Sequence, residues 1–318
     1  MVQRKNPQWM SRWFYGAMTV LMALAVLAAC HTLAVNPADR QGFSSPQEAV
    51  YALVSGVRND NDNELLAILG PDAEDLIASG DQVADRNSRK RFLAAFVEKN
   101  SLEQQERNRV VLIVGNRDYP FPIPLREQGG VWYFDTSAGR EEILNRRIGR
   151  NELHTIEVMQ AYTDAQREYA CLKHNGDGPM FAQRFASSEG RKDGLYWPAT
   201  AGEPESPFGP LIARATEEGY SGGLDEKPPE AFQGYYFKIL KGQGPHAYGG
   251  AFDYVVNGKM VLGFALAAYP AKYGASGIMT FIVNQEGVIY EKDIGENTAG
   301  EAANMTSFDP DETWRRHE

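Results

Sequence analysis

The side chains whose types could do chemistry are few and widely spaced. His246 in "GPHAY", Asp253 in "FDY" and Asp293 in "YEKDIG" are the acid and base candidates. A histidine titrating near neutrality can take a proton while a carboxylate orients it, which is the minimum a hydrolase needs. Carboxylates at strand ends ordinarily make turns and accept hydrogen bonds, and five histidines in 318 residues leave little to build from. The expectation is therefore a protein that is not an enzyme. Cys171 has no placed base beside it and reads as a small apolar residue buried on a helix face. No Cys/His cluster has zinc-ligand spacing, and no glycine-rich loop opens a helix for a phosphate. Asn175-Gly176-Asp177-Gly178 lacks the ligand spacing and terminal glutamate of a calcium loop and reads as a plain turn. No metal or cofactor is expected. Tyr196 and Trp197 in "GLYWPA", with Tyr248 in "GPHAYGGAFDY", offer flat amphipathic rings suited to a binding surface; the competing reading half-buries them beneath their own loops.

Cys30 stands apart because of what precedes it. "MVQRKNPQWMSRW" is basic and polar, and "FYGAMTVLMALAVLAAC" then runs without a charge to the cysteine. A positive leader, an apolar run and small residues before a cut are the order of a signal peptide. The run from Trp13 to Cys30 is also just long enough to span a bilayer, for which about 18 to 20 residues are needed. Leu27-Ala28-Ala29-Cys30 resembles the bacterial lipobox, which implies cleavage between Ala29 and Cys30 and attachment of a diacylglyceryl group to the thiol. Acyl chains of the palmitate type, at about 0.8 kcal/mol per buried methylene, then hold the protein on the membrane. His31 follows the cysteine where lipoproteins retained at the inner membrane carry aspartate, so the resemblance favours the outer membrane, facing the periplasm.

Charge narrows the partners. The formal net charge is -10, and loss of residues 1–29, with Arg4, Lys5 and Arg12 but no carboxylate, takes it to -13. Such a chain repels phosphate backbones, and no basic stripe with interleaved aromatics reverses this, so no nucleic-acid partner is expected.

The elements that must position these residues are legible in outline. Residues 1–29 form the leader and 30–43 a tether. A first domain over 44–148 opens on "SSPQEAVYALVSGV", where Ser45, Pro46 and Glu48 give a capped helix with Ala49, Val50, Leu53, Val54 and Val57 on one side. "NELLAILG" is a second helix, and "RNSRKRFLAAFVEK" a third with Phe92, Leu93, Phe96 and Val97 inward. Strands follow in "RVVLIVG", an edge-like "YPFPIPL" and "VWYFD", with Gly129-Gly130 turning between the last two. A second domain over 149–318 begins in a long helix broken near Gly149, with Leu153, Ile156, Met159, Tyr162 and Tyr169 at helical spacing. Glu141, Glu142, Arg146, Arg147 and Arg150 form a charged section at the junction, read either as a solvated, ion-paired surface or as a device fixing the angle between domains. "GYYFKIL", "AFDYVV", "KMVLGFALAAYP", "GIMTFIV" and "GVIYEKD" make an antiparallel meander of four or five strands, Asn257-Gly258 forming one hairpin and the long helix covering one face.

The fold class expected is α+β. Helices before a curved antiparallel sheet resemble the cystatin-like cone of the nuclear-transport-factor-two superfamily, and the helix-plus-meander resembles the globular part of type IV pilins. The pilin resemblance departs at its key point: after Gly16 the chain offers "AMTVL", ending at Leu21 where pilins carry glutamate. Over nearly the whole mature chain, "GGVWYFDTSAGREEILNRRIGRNEL", "AYTDAQREYA", "SPFGPL", "YPAKYGASGIMTFIVNQEGVIYEKDIG" and "FDPDETW" resemble the bacterial family catalogued as domain of unknown function 2950. That resemblance implies an exported protein and carries over no catalytic residue. The function expected is a lipid-anchored envelope protein that binds another protein or an envelope polymer without catalysis. The alternatives are an envelope hydrolase or a pilin-like assembly component.

Overall fold

Ser45 starts the first helix, α1 (Pro46–Arg58), by accepting the Glu48 backbone N–H at 3.2 Å. The Glu48 carboxylate reaches one residue further back than a standard capping box, to the N–H and hydroxyl of Ser44 at 2.9 and 2.6 Å. In this computed structural model the described residues are 40–172, 178–199, 202, 204–221 and 230–317. The leader, Ala29, Cys30 and most of the Asn175–Gly178 stretch lie outside them.

Helix α2 (Asp62–Leu69) is capped by Asn61 and stops at Gly70, whose φ of 88° favours glycine. A short helix α3 (Glu74–Ile77) leads to α4 (Gln82–Glu98). The third helix expected over 86–99 begins four residues earlier, because Asp81 accepts the Ala84 N–H at 2.9 Å and caps it there. Phe92, Leu93 and Phe96 are half-buried as expected, whereas Val97 is 76% exposed. The first sheet is antiparallel, in the order β1 (Asn100–Glu106), β2 (Arg109–Val114), β4 (Leu125–Gln128), β5 (Val131–Phe134), with β3 (Tyr119–Pro120) on the far part of β2. Only the first two residues of "YPFPIPL" before Leu125 pair, since Pro122 and Pro124 have no N–H to give a ladder. Phe43, Leu53, Ile68, Leu112, Ile123 and Phe134 belong to the core between these helices and this sheet.

Helix α5 (Thr136–Cys171) is 36 residues long and passes through Gly149 without a break. At 1.5 Å per residue it extends about 54 Å, so one rod serves both halves, and the division expected at 148/149 falls inside it. Near its start Gly139 lies against the Pro122 carbonyl with no room for a side chain. Further along, Ile156, Met159, Tyr162 and Tyr169 are buried, while Leu153 is 63% exposed on the opposite side. Cys171, expected to be buried, is exposed in the last turn.

The second sheet has the order β14-β13-β12-β11-β6, with β6 Tyr235–Leu240, β11 Ala265–Pro270, β12 Met279–Asn284, β13 Ile289–Asp293 and β14 Arg315–Arg316. "AFDYVV" does not join it. Tyr254 turns fully inward to Gln243, splitting the segment into β8 (Phe252–Asp253), paired with β7 (Gly242–Gln243), and β9 (Val255–Val256), paired with β10 (Lys259–Met260). The Asn257-Gly258 hairpin is as expected, both residues having positive φ. Ala265 to Ala268 are buried in succession, so both faces of β11 are covered. α5 packs on β11 and β12, with the Tyr162 hydroxyl on the Ala265 carbonyl at 3.3 Å, and α7 (Thr298–Asn304) also contacts β11. The remaining helix, α6 (Gly209–Glu217), buries Ala215.

The fold is mixed helix and antiparallel sheet, α+β. Residues 40–318 make one compact unit, and that unit contains both hydrophobic cores. Among the described residues no helix is long and apolar enough to cross a membrane.

Candidate functional site

Two helical stripes face each other across a cleft. On α4 it is lined by Asp85, Ser88, Arg91, Phe92 and Ala95; on α5 by Ile143, Arg146, Arg147, Arg150, Asn151 and His154. The α5 positions step by three, one, three, one and three, which keeps them on one face of a 3.6-residue helix. The α4 positions step by three, three, one and three, which also keeps them on one face. The charged section of α5 is thus not simply solvated.

Asp81 fixes the start of α4 against the second half of the chain. It is buried, and besides capping the helix it accepts the Tyr220 hydroxyl and the Gly234 N–H, both at 2.8 Å. Asn87 adds a bond to the Glu218 carbonyl at 2.8 Å. On the opposite wall, buried Asn151 donates to the Ser276 carbonyl at 2.8 Å. The cleft is therefore held by elements from both halves.

It has three lobes that share residues. A polar lobe of about 330 Å³ lies among Asp85, Arg91, Arg147, Arg150, His154 and Glu218. A central lobe of about 380 Å³ is lined by Arg91, Arg146, Arg147 and Arg150 together with Phe92 and Phe121, and by no carboxylate. An apolar lobe of about 210 Å³ shares Phe92, Phe121, Ile143 and Arg147 and continues to Leu53 and Leu76. Volumes of this order are those of small-molecule sites.

Arg147 forms the floor. Its two terminal nitrogens donate to the carbonyls of Asp75 and Leu76, both at 2.6 Å, and burial pulls its pKa below the ordinary guanidinium value against the opposing pull of Asp85. Asp85 is pushed up by burial, even though it accepts the Ser79 N–H at 2.9 Å. Arg91 donates to the Ser88 hydroxyl at 2.8 Å, and burial and then the nearby Arg150 charge lower its pKa. Arg146 pairs with Glu142 at 2.7 Å and lies over the Tyr119 ring at 5.3 Å. Among the described residues neither Arg91 nor Arg150 has a carboxylate within 4.0 Å. His154 is lowered first by burial, which favours its neutral form. Guanidinium groups stay protonated near neutrality, so the arrangement is suited to holding a negatively charged group.

The residues singled out from the sequence lie elsewhere. His246 is exposed and bonds through Nδ1 to both oxygens of Asp309, at 3.1 Å each, in place of Asp253 or Asp293. Asp253 is exposed in β8, opposite Gly242. Asp293 accepts the Tyr273 hydroxyl at 3.0 Å and the Gly295 N–H at 2.9 Å, which closes a turn. None of the three lines the cleft. Trp197, 6% exposed, belongs to the second core with Lys192 over its ring, and Tyr196 packs against that core; Tyr248 stands 89% exposed. Among the described residues no group of three or more His, Cys, Asp or Glu side chains could hold a metal ion.

The fold and cleft define an α+β protein with a cationic groove at the meeting of its two halves. Residues 40–317 match the family described as Protein of unknown function (DUF2950), and the chain belongs to that family. No curated protein and no solved structure matches it.

Proposed function

We propose that this protein is a non-catalytic binding module of the bacterial envelope, anchored by lipid at Cys30, and that the cleft between α4 and α5 is its ligand seat. The observation that carries the reading is the concave, arginine-lined groove, together with the separation of His246, Asp253 and Asp293 from it. The anchor rests on the lipobox resemblance, and His31 after the cysteine favours the outer membrane. In the finer reading of the fold, the helices and sheet of the first half form a cystatin-like cone, and α5 on the second sheet forms a pilin-like unit. The groove then belongs to the packing of one against the other.

The test is to incubate residues 40–318 with a small-molecule extract of the envelope, isolate the protein by gel filtration and analyse what it carries by mass spectrometry. Compounds retained by the wild type with unchanged mass support a binding module. A compound consumed and converted in proportion to protein would identify an enzyme instead. For the anchor, Cys30→Ala should abolish lipid labelling and maturation in cells, and unchanged labelling would overturn it.

A further inference from the structure

From the composition of the three lobes we infer that the ligand of this cleft is a small amphipathic anion: a phosphate or carboxylate head among Arg91, Arg147 and Arg150, joined to an apolar segment that lies against Phe92, Phe121 and Ile143. This rests on the cleft being a binding site and adds the chemical class of what binds.

The anionic head follows from an excess of cations: Arg146 is paired with Glu142, while Arg91, Arg147 and Arg150 outnumber the carboxylates that line the cleft beside them, Asp85 and Glu218. Four guanidinium groups line the central lobe and no carboxylate does. Arg147 is held by two neutral carbonyls, which fix its position, and Asp85 and Asp75 offset only part of its charge. Arg91 is fixed by a neutral hydroxyl, and the Arg150 side chain has no hydrogen bond among the described residues. Like charges placed side by side repel, and an anion between them turns that repulsion into charge-assisted hydrogen bonds. The formal charge of the whole chain is -10, so a concentration of cations in one groove is a local feature, not a consequence of a basic surface.

The apolar segment follows from the wall. Phe92, Phe121, Ile143 and Arg147 line both the central and the apolar lobes, so the cationic floor opens directly onto apolar surface. The Phe92 and Phe121 rings stand 5.5 Å apart in a tilted pair, a rigid surface for an alkyl chain or ring. A head without a tail would leave that concavity wet. A tail without a head would leave the arginines unpaired. The lobes are too small for a folded partner and have the size of a small-molecule site.

The experiment is calorimetric titration of residues 40–318, which hold both cores, with three probes below their aggregation concentrations: octyl phosphate, inorganic phosphate and octanol. Octyl phosphate should bind about tenfold or more tightly than either other probe, since each contact class is worth a decade or so. Arg91→Gln and Arg150→Gln should each weaken octyl phosphate and phosphate about tenfold, with melting temperatures not lowered, because neither side chain has an ion pair among the described residues and removing either relieves its repulsion with the other. Phe92→Ala should weaken octyl phosphate alone; Phe92→Leu, which keeps more of the packing, gives the same answer if the alanine variant is unstable. Octyl phosphate binding no tighter than octanol, or undiminished in both arginine variants, would overturn the inference. Envelope compounds retained unchanged by the wild type, with octyl phosphate failing, would sink the ligand class while leaving the binding module standing. Failure of both would remove the cleft from the function altogether.

Discussion

Replacing Asp81 with alanine should destabilise the protein far more than removal of an ordinary helix cap. Its Oδ1 caps α4, and its Oδ2 accepts two donors from the second half of the chain, the Tyr220 hydroxyl and the Gly234 N–H. A lost cap costs about 1 kcal/mol, and each buried donor left without an acceptor costs about 1–3 kcal/mol. The combined loss is on the order of 3–7 kcal/mol, a large part of a typical folding free energy. At roughly 2–4 °C per kcal/mol for domains of this class, the melting temperature should fall by about 6 °C at the least. Asp81→Asn separates the contributions. The amide can keep its oxygen on the Tyr220 hydroxyl and the Gly234 N–H, but its NH2 then faces the Ala84 N–H, which loses its cap and has no second acceptor. The asparagine variant should therefore lose only about 1–3 kcal/mol. Thermal melts of the three proteins by circular dichroism provide the assay. An alanine variant melting within 2 °C or so of wild type, or an asparagine variant as damaged as the alanine one, would refute the account of this clasp.

Two predictions concern titration. Burial holds the folded-state pKa of Asp85 above its unfolded value, so its charge costs stability at neutral pH and the cost disappears as pH falls below the unfolded pKa. Asp85→Asn should melt at or above wild type at pH 7 and equal it near pH 3; a lower melting temperature at pH 7 would mean that attraction to Arg147 outweighs burial. The bond to Asp309 raises the pKa of His246, so any stabilisation from this pair is present below the unfolded histidine pKa and is lost as pH rises through the folded value. An NMR titration should place His246 above the ordinary histidine value and return it toward that value in Asp309→Asn; an unchanged titration would refute the pairing.

What the sequence discloses about the fold is mostly what local chemistry decides. Ser45-Pro46 ahead of an apolar stripe starts α1, and Gly129-Gly130 and Asn257-Gly258 turn their hairpins because these positions need positive φ. β1 gives no such signal. Apart from Leu102 its residues "NSLEQQE" are polar and exposed, and they are extended because β2 lies beside them, Leu102 opposite Leu112 and Gln104 opposite Val110. The alternation of Phe252, Tyr254 and Val256 resembles a strand, yet the inward turn of Tyr254 breaks the ladder, a packing event that alternation does not encode. The cleft was half visible. Ile143, Arg146, Arg147, Arg150, Asn151 and His154 share a helix face, and "RNSRKRF" carries the opposing stripe. Whether such a face meets water or another helix is a tertiary fact, and only the Asp81 and Asn151 anchors from distant segments settle it.

The central claim is that the ligand seat is the α4–α5 cleft and not the exposed aromatic loop around Tyr248. It is tested most directly in intact cells carrying a photoactivatable amino acid at Ser88, which lines all three lobes, or at Tyr248. The account predicts a small-molecule adduct from position 88 after illumination, its loss when Arg150→Gln is added, and none from position 248. An adduct from position 248 with none from position 88 would contradict it.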